Sequence, residues 1–235
     1  PAKDDIQAIT AVHEAGHAIV AMRTLKILPE YICSTSADTE SMGFTVIKNK
    51  WKYFSKEEVV PRIATNMAGW IAEKIIFGPE KITKGAQGDI VTATDYATSA
   101  IKEYGMGALA ASISTAECIT KYYYHDNTGE HNAEVKSLLQ EGVLLAEKIL
   151  LAEKILLLEL SGYLSDERII KKAALEKMVR EFGSAELRNM VFIEDGNHSY
   201  YRARLKMQIA EKNKEVLMQQ TISEQSIISL NKMAG

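Results

Sequence analysis

Two histidines four residues apart, with a glutamate directly after the first, stand near the start of the chain as His13-Glu14-Ala15-Gly16-His17. The pattern is H-E-x-x-H. On a helix, positions i and i+4 share a face, so both imidazoles can point at one ion. Neutral imidazoles suit Zn²⁺, and Fe, Co or Mn would accept them too. Glu14 is turned off that face. Its carboxylate can reach a metal-bound water rather than the metal itself. Zinc lowers the pKa of such a water to about 7. A carboxylate beside it can take the proton and pass it to a leaving amine. That is the chemistry of metal-assisted peptide hydrolysis. The competing reading is a chance match on a buried helix, and the flanks Ile6, Ile9, Val12, Ala18, Ile19 and Met22 fit such a helix.

Catalytic zinc normally keeps three protein ligands and one open position. The residue six past His17 is Arg23, so the third histidine of the metzincin pattern is absent. Glu30 and Glu40 fall in apparent loops, and His125, His131 and His198 sit in polar, loop-like surroundings that read as surface. Glu73 is a rival third ligand, with an alternative role facing solvent or supporting the site. Asp89 follows a loop at the start of a helix. It reads either as a first-turn carboxylate favoured by the helix dipole or as a ligand delivered by that loop.

These residues need elements to hold them. Asp4 and Asp5 can cap a first helix running to about Leu25. Tyr31 to Ser36 and Gly43 to Lys48 read as two short strands around a polar turn at Asp38 to Ser41. The pair is either a plain structural hairpin or an edge that holds an extended peptide beside the motif helix. Ser55-Lys56-Glu57-Glu58 matches a capping box. It opens a helix with Val59, Ile63, Met67, Trp70, Ile71 and Ile75 on one stripe, stopped by Gly78-Pro79. Trp70 reads as core. A loop from Glu80 to Gly88 leads into a third helix marked by Ile90, Ala93, Ala97, Ala100, Ile101 and Tyr104 and ended by Gly105.

Composition bounds the function. The chain has 235 residues, of which 46% are hydrophobic, with 14 Gly and only 4 Pro, which favours helices over a turn-rich β fold. A net charge of −3 excludes a general nucleic-acid binder. Cys33 and Cys118 form no metal-type pair and are too few for a disulfide scaffold, so they read as reduced, buried thiols of a cytoplasmic-type compartment. No signal peptide and no run of 18 apolar residues is present. There is no G-x-x-x-x-G-K-[ST] phosphate loop, so this chain alone does not read as an ATPase.

The segments "AVHEAGHAIVA", "IAEKIIFGPE" and "TKGAQGDIVTAT", followed by "EYGMG" at Glu103 to Gly107, together resemble the peptidase domain of the FtsH family. The resemblance runs from residue 4 to about 170, more weakly after Gly107. It implies a membrane-anchored, ATP-dependent zinc protease that works on unfolded polypeptide as a ring of six. It implies that His13, His17 and Asp89 hold zinc, with Glu14 as the base. It also implies an ATPase segment or partner outside this chain, and membrane association through a segment not in it. Lys84 and Gly88 depart from the family pattern, and neither departure removes a ligand.

After Asn127-Thr128-Gly129 the chain turns strongly helical, and LLAEKI occurs twice in tandem from Leu144 to Ile155. A six-residue period does not match 3.6, so the leucines of Val143 to Leu160 spread over more than one face. One face can pack inside the chain, and a second fits self-association. Ser165 reads as the cap of a helix from Asp166 to Phe182, Asp195-Gly196-Asn197 as a turn, and Tyr200 to Gln220 as a polar helix. The expected fold is mostly α: a zincin-like H-E-x-x-H helix with a small β hairpin, then a helical C-terminal half. The division is 1–128 catalytic and 129–235 helical, with residues 183–235 an appendage. Two rivals stand beside a zinc peptidase, a non-proteolytic adaptor with a structural zinc and an ATP-independent stand-alone peptidase.

Overall fold

Helix α1 (Asp5–Leu25) carries the motif in its middle, with Ala11, Ala15, Ala18, Ile19 and Met22 fully buried. The computed structural model describes residues 5–35, 43–47, 55–108, 110, 112, 128–193, 201–214 and 218. After α1, strand β1 (Tyr31–Cys33) and strand β2 (Phe44–Val46) pair antiparallel, with Ile32 opposite Thr45. A 3₁₀ turn at Lys56–Glu58 leads into α2 (Val59–Phe77). Glu58 closes that turn by accepting from the Ser55 backbone N–H at 2.7 Å. Gly78 then ends α2 at φ 94°, a left-handed-side backbone angle that glycine adopts without strain. Helix α3 (Gln87–Lys102) follows, then α4 (Thr128–Ala152), α5 (Lys154–Glu167), β3 (Ile169–Lys171), α6 (Lys172–Phe182) and the single turn α7 (Ala185–Arg188).

Helix α2 is the hub, packing on α1, α3 and α4, while α1 also packs on α5. The α1–α2 contact is made largely by alanines, among them Ala11, Ala15, Ala64, Ala68 and Ala72. Small side chains let the two backbones approach, which brings residues of α2 within reach of the motif. The main core continues through Leu150, Leu156, Leu157, Leu160 and Leu164, and Trp70 packs against it as expected. A smaller cluster of Val59, Ile63, Ala93, Ala97 and Ala100 fixes α3 to α2.

Several expectations are corrected. A third strand, β3, pairs antiparallel with β1, giving the sheet order β2-β1-β3. Its Ile170 is buried opposite Ile32. Ser165 is therefore no helix cap. It lies inside α5, which ends where Arg168 turns left-handed at φ 67°. The leucine-dense stretch is two helices divided at Glu153, whose backbone leaves the helical region. His131 is not a surface residue: it is buried on α4. Cys33 is buried as expected. Asp4, Asp38 to Ser41, Cys118, His125, His198 and the turn at 195–197 lie outside the described residues.

Two compact units divide the chain, Pro1–Asp195 and Gly196–Gly235. The second contains a helix over 201–214 whose described side chains are all exposed. The expected division at 128/129 falls within the first unit, where α4 begins. On α4 and α5, Leu144, Leu151, Ile155 and Leu158 are exposed. Among the described residues, no helix is long and apolar enough to cross a membrane.

Candidate metal centre

The i, i+4 spacing on α1 does what the pattern predicts. The His13 and His17 rings meet edge to face with centroids 4.7 Å apart, and their Nε2 atoms stand 3.0 Å apart. Asp89, in the first turn of α3, closes the triangle. Its Oδ2 lies 3.0 Å from His13 Nε2 and 3.4 Å from His17 Nε2. The loop leading to Asp89 forms a 3₁₀ turn at Lys84–Ala86, with Thr83 capping it through a hydrogen bond from the Gly85 N–H. Gly88 faces open space and Lys84 is exposed, so neither departure from the family pattern touches the triangle.

The tautomers follow from the outer partners. His17 Nδ1 lies 2.7 Å from the Thr65 backbone carbonyl of α2. A carbonyl only accepts, so Nδ1 carries the proton and the neutral ring presents a bare lone pair at Nε2. His13 Nδ1 donates to Glu73 Oε1 at 2.7 Å, with the same consequence for its Nε2 in the neutral ring. Glu73 is fully buried and its second oxygen accepts from the Thr83 N–H at 2.9 Å. Of the two roles open to Glu73, the geometry is that of a support. It holds His13 from behind and anchors the loop leading to Asp89, an arrangement common behind metal-ligating histidines.

Three acceptor atoms thus converge with no proton of their own between them when both rings are neutral. Around a tetrahedral zinc with ligands at about 2.0–2.1 Å, ligand atoms stand about 3.3–3.4 Å apart. The observed edges of 3.0, 3.0 and 3.4 Å fit one such ion, and among the described residues this trio forms a cluster able to hold a metal. Without a metal a proton plays the same part. Burial pulls the His13 pKa down, but the hydrogen bonds to Asp89 and Glu73 outweigh it and raise it to about 9. Burial pushes Asp89 up, and its hydrogen bonds to the two histidines overcome this and hold it well below the usual carboxylate range. Glu73 is likewise lowered, by His13 and the Thr83 N–H against its own burial.

Glu14 points elsewhere. It is buried, and its Oε2 accepts from Thr45 Oγ1 of β2 at 2.7 Å. It is not part of the converging trio. Gly69 of α2 is the other silent partner. A Cβ there would fall 2.4 Å from His13 Nε2, so only glycine leaves room for the ring. Nothing in the sequence alone singles out Thr45 or Thr65. Only Gly69 leaves a local signal, as a glycine inside an otherwise strong helix.

Residues 2–178 match the family model described as Peptidase family M41. An ATP-dependent zinc metalloprotease YME1L of Drosophila melanogaster is 32% identical over 145 residues, covering 59% of this chain and 20% of the relative. An ATP-dependent zinc metalloprotease FtsH of Rickettsia bellii is 30% identical over 138 residues, covering 58% and 22%. The chain therefore spans about a fifth of the length of these relatives.

Proposed function

The chain belongs to peptidase family M41 and is a zinc metallopeptidase domain similar to that of FtsH, and from that premise we propose that His13, His17 and Asp89 hold the zinc and that Glu14 is the general base. One observation carries this reading: three lone-pair atoms at coordination spacing, beside a buried carboxylate that does not join them. When bound, the ion supplies a Lewis acid that lowers the pKa of a water to about 7 and polarises a carbonyl. The chain's own groups do the rest. Glu73 and the Thr65 carbonyl hold the rings in one tautomer. Glu14 takes the proton of the attacking water and delivers it to the leaving amine.

The substrate we propose is unfolded polypeptide. An extended segment can add to the outer edge of β2, which among the described residues has one neighbour in the sheet and touches Glu14 through Thr45. In this reading residues 1–128 form the catalytic half and 129–235 a helical half for association. The exposed Leu144, Leu151, Ile155 and Leu158 fit a contact between copies, with a ring of six implied by the family likeness. The named relatives are ATP-dependent, so we assign the driving ATPase, and any membrane anchor, to a segment or partner outside these residues. A structural zinc in an adaptor is disfavoured, because such a site closes with four protein ligands and here three converge among the described residues.

Glu14→Gln tests the assignment. The variant should keep its zinc and fold, while cleavage of casein falls by about 10²- to 10⁴-fold. Cleavage at the parental rate would remove Glu14 as the base.

A further inference from the structure

We propose that Thr45 is the positioning residue of the Glu14 base, an inference that rests on the reading of Glu14 above. In the strand Phe44-Thr45-Val46, side chains alternate between faces. Phe44 leans on Tyr31 of β1, with ring centroids 5.8 Å apart. Thr45 turns to α1, where its Oγ1 lies 2.7 Å from Glu14 Oε2 and 3.1 Å from the Glu14 carbonyl. A hydroxyl has one proton. The shorter contact to a charged acceptor takes it, and such charge-assisted bonds are the strong ones.

A glutamate side chain has three rotatable bonds, and a base loses efficiency if its carboxylate wanders. Among the described residues Thr45 is the donor that fixes it. With Oε2 held, Oε1 is the oxygen left to take a proton. The strand itself is seated tightly. A Cβ on Gly43 would fall 2.5 Å from Thr10 Cγ2, 2.9 Å from the Cys33 carbonyl and 3.0 Å from Glu14 Cγ. The register is fixed by β1, whose Ile32 is fully buried between Thr45 and Ile170 of the flanking strands. A slip of one residue would turn Thr45 to the opposite face and release the base. The strand whose outer edge is offered to substrate is therefore also the strand that aims the carboxylate.

The test compares Thr45→Val, which keeps the shape without the donor, with Thr45→Ser, which keeps the donor. The zinc-loaded Val variant should retain its metal and its KM for a fluorogenic peptide, while kcat falls about 10- to 100-fold. The Ser variant should recover most of that loss. Should Val not fold, Thr45→Ala against Thr45→Ser carries the same comparison. A second readout needs no activity: Thr45→Val should lower the denaturation midpoint in the parent but not in a Glu14→Ala background. Parental kcat in the Val variant, equal damage by Val and Ser, or additive midpoint shifts would each overturn the proposal. If Glu14→Gln is itself fully active, the base assignment fails first, and the two failures are distinguishable.

Discussion

At His13 and His17, helix α1 faces a carboxylate whose oxygen lies opposite two imidazole lone pairs. Further along the same helix, Arg23 meets a carboxylate that is completely matched. Glu153 is buried, and its Oε1 pairs with the Arg23 guanidinium and accepts from Ser184 Oγ at 2.5 Å. Its Oε2 accepts from the Ser184 N–H at 2.8 Å, and Arg23 also reaches Glu186 at 2.5 Å. Both clusters are polar and at least partly buried, and both tie α1 to distant parts of the chain. They differ in sign. In the second, each acceptor has its own donor, and the cluster is a clip joining α1, the α4–α5 break and the start of α7. In the first, neutral rings leave acceptors facing acceptors, which only a cation satisfies. Burial of charge alone does not mark a functional site; an unbalanced set of donors and acceptors does.

The largest effect should come from breaking the matched cluster. Among the described residues, Glu153→Gln leaves Arg23 with the exposed Glu186 as its anionic partner. Removing one member of a buried pair should cost about 3 kcal/mol or more in chemical denaturation. Zinc content of the folded protein should not change. A variant as stable as the parent, or one that loses zinc, would dissolve the contrast between the two ends of α1.

The unbalanced cluster should respond in metal affinity instead. Glu73→Gln weakens the acceptor behind His13 and the anchor of the Thr83 loop. Zinc affinity should fall about 10- to 100-fold, measured by competition with a chelator. Asp89→Asn should weaken binding further, since it alters the triangle itself. The reverse ranking would exchange the roles of Glu73 and Asp89.

Protonation sharpens the same contrast. With its pKa raised to about 9, His13 of the metal-free chain carries a proton at neutral pH where the ion would bind. Zinc must displace it, so affinity should fall about tenfold from pH 8 to pH 7. The sign for the metal-free fold is opposite. A group raised from 6.5 to about 9 contributes stability that is fully present below pH 6.5 and lost as the pH rises through 9. Equal zinc affinity at pH 7 and pH 8 would show that no proton is displaced.

The motif itself was readable because its spacing is local: four residues on one helix need no tertiary knowledge. Glu73 and Asp89 are 60 and 76 residues from His13. Their type is legible, but only the close α1–α2–α3 packing brings them beside His13, and the sequence favours Asp89 as a ligand by family resemblance rather than by spacing. Thr65 acts through a backbone carbonyl, which every residue has, so its identity carries no signal. Thr45 was visible as a strand residue and nothing more. The strand β3 escaped because three residues between two strong helices look like helix until a left-handed Arg168 interrupts them. His131 was misplaced because its neighbours are polar, although its own face of α4 is buried.

The two copies of LLAEKI make the smallest effect instructive. Six residues on an α-helix turn through about 600°, so the start of the second copy is rotated by about 120° from the first, and the break at Glu153 then redirects the rest of it. In the first copy Ala146 and Ile149 are buried and Leu144 is exposed. In the second Leu150 is buried, and Leu151 and Ile155 are exposed. The glutamates follow. Glu147 meets Lys74 at 2.9 Å with both side chains about a third exposed, whereas Glu153 is enclosed. An exposed pair of this kind contributes about 0–1 kcal/mol, and salt weakens it further. Glu147→Gln should therefore lower stability by less than about 1 kcal/mol, against about 3 kcal/mol for the same change at Glu153. Identical sextets would then differ in energy through their placement in the fold, the second copy being broken at Glu153. Equal losses at the two sites would mean that Lys74–Glu147 is desolvated in solution, as it would be if a second copy of the chain covered that face.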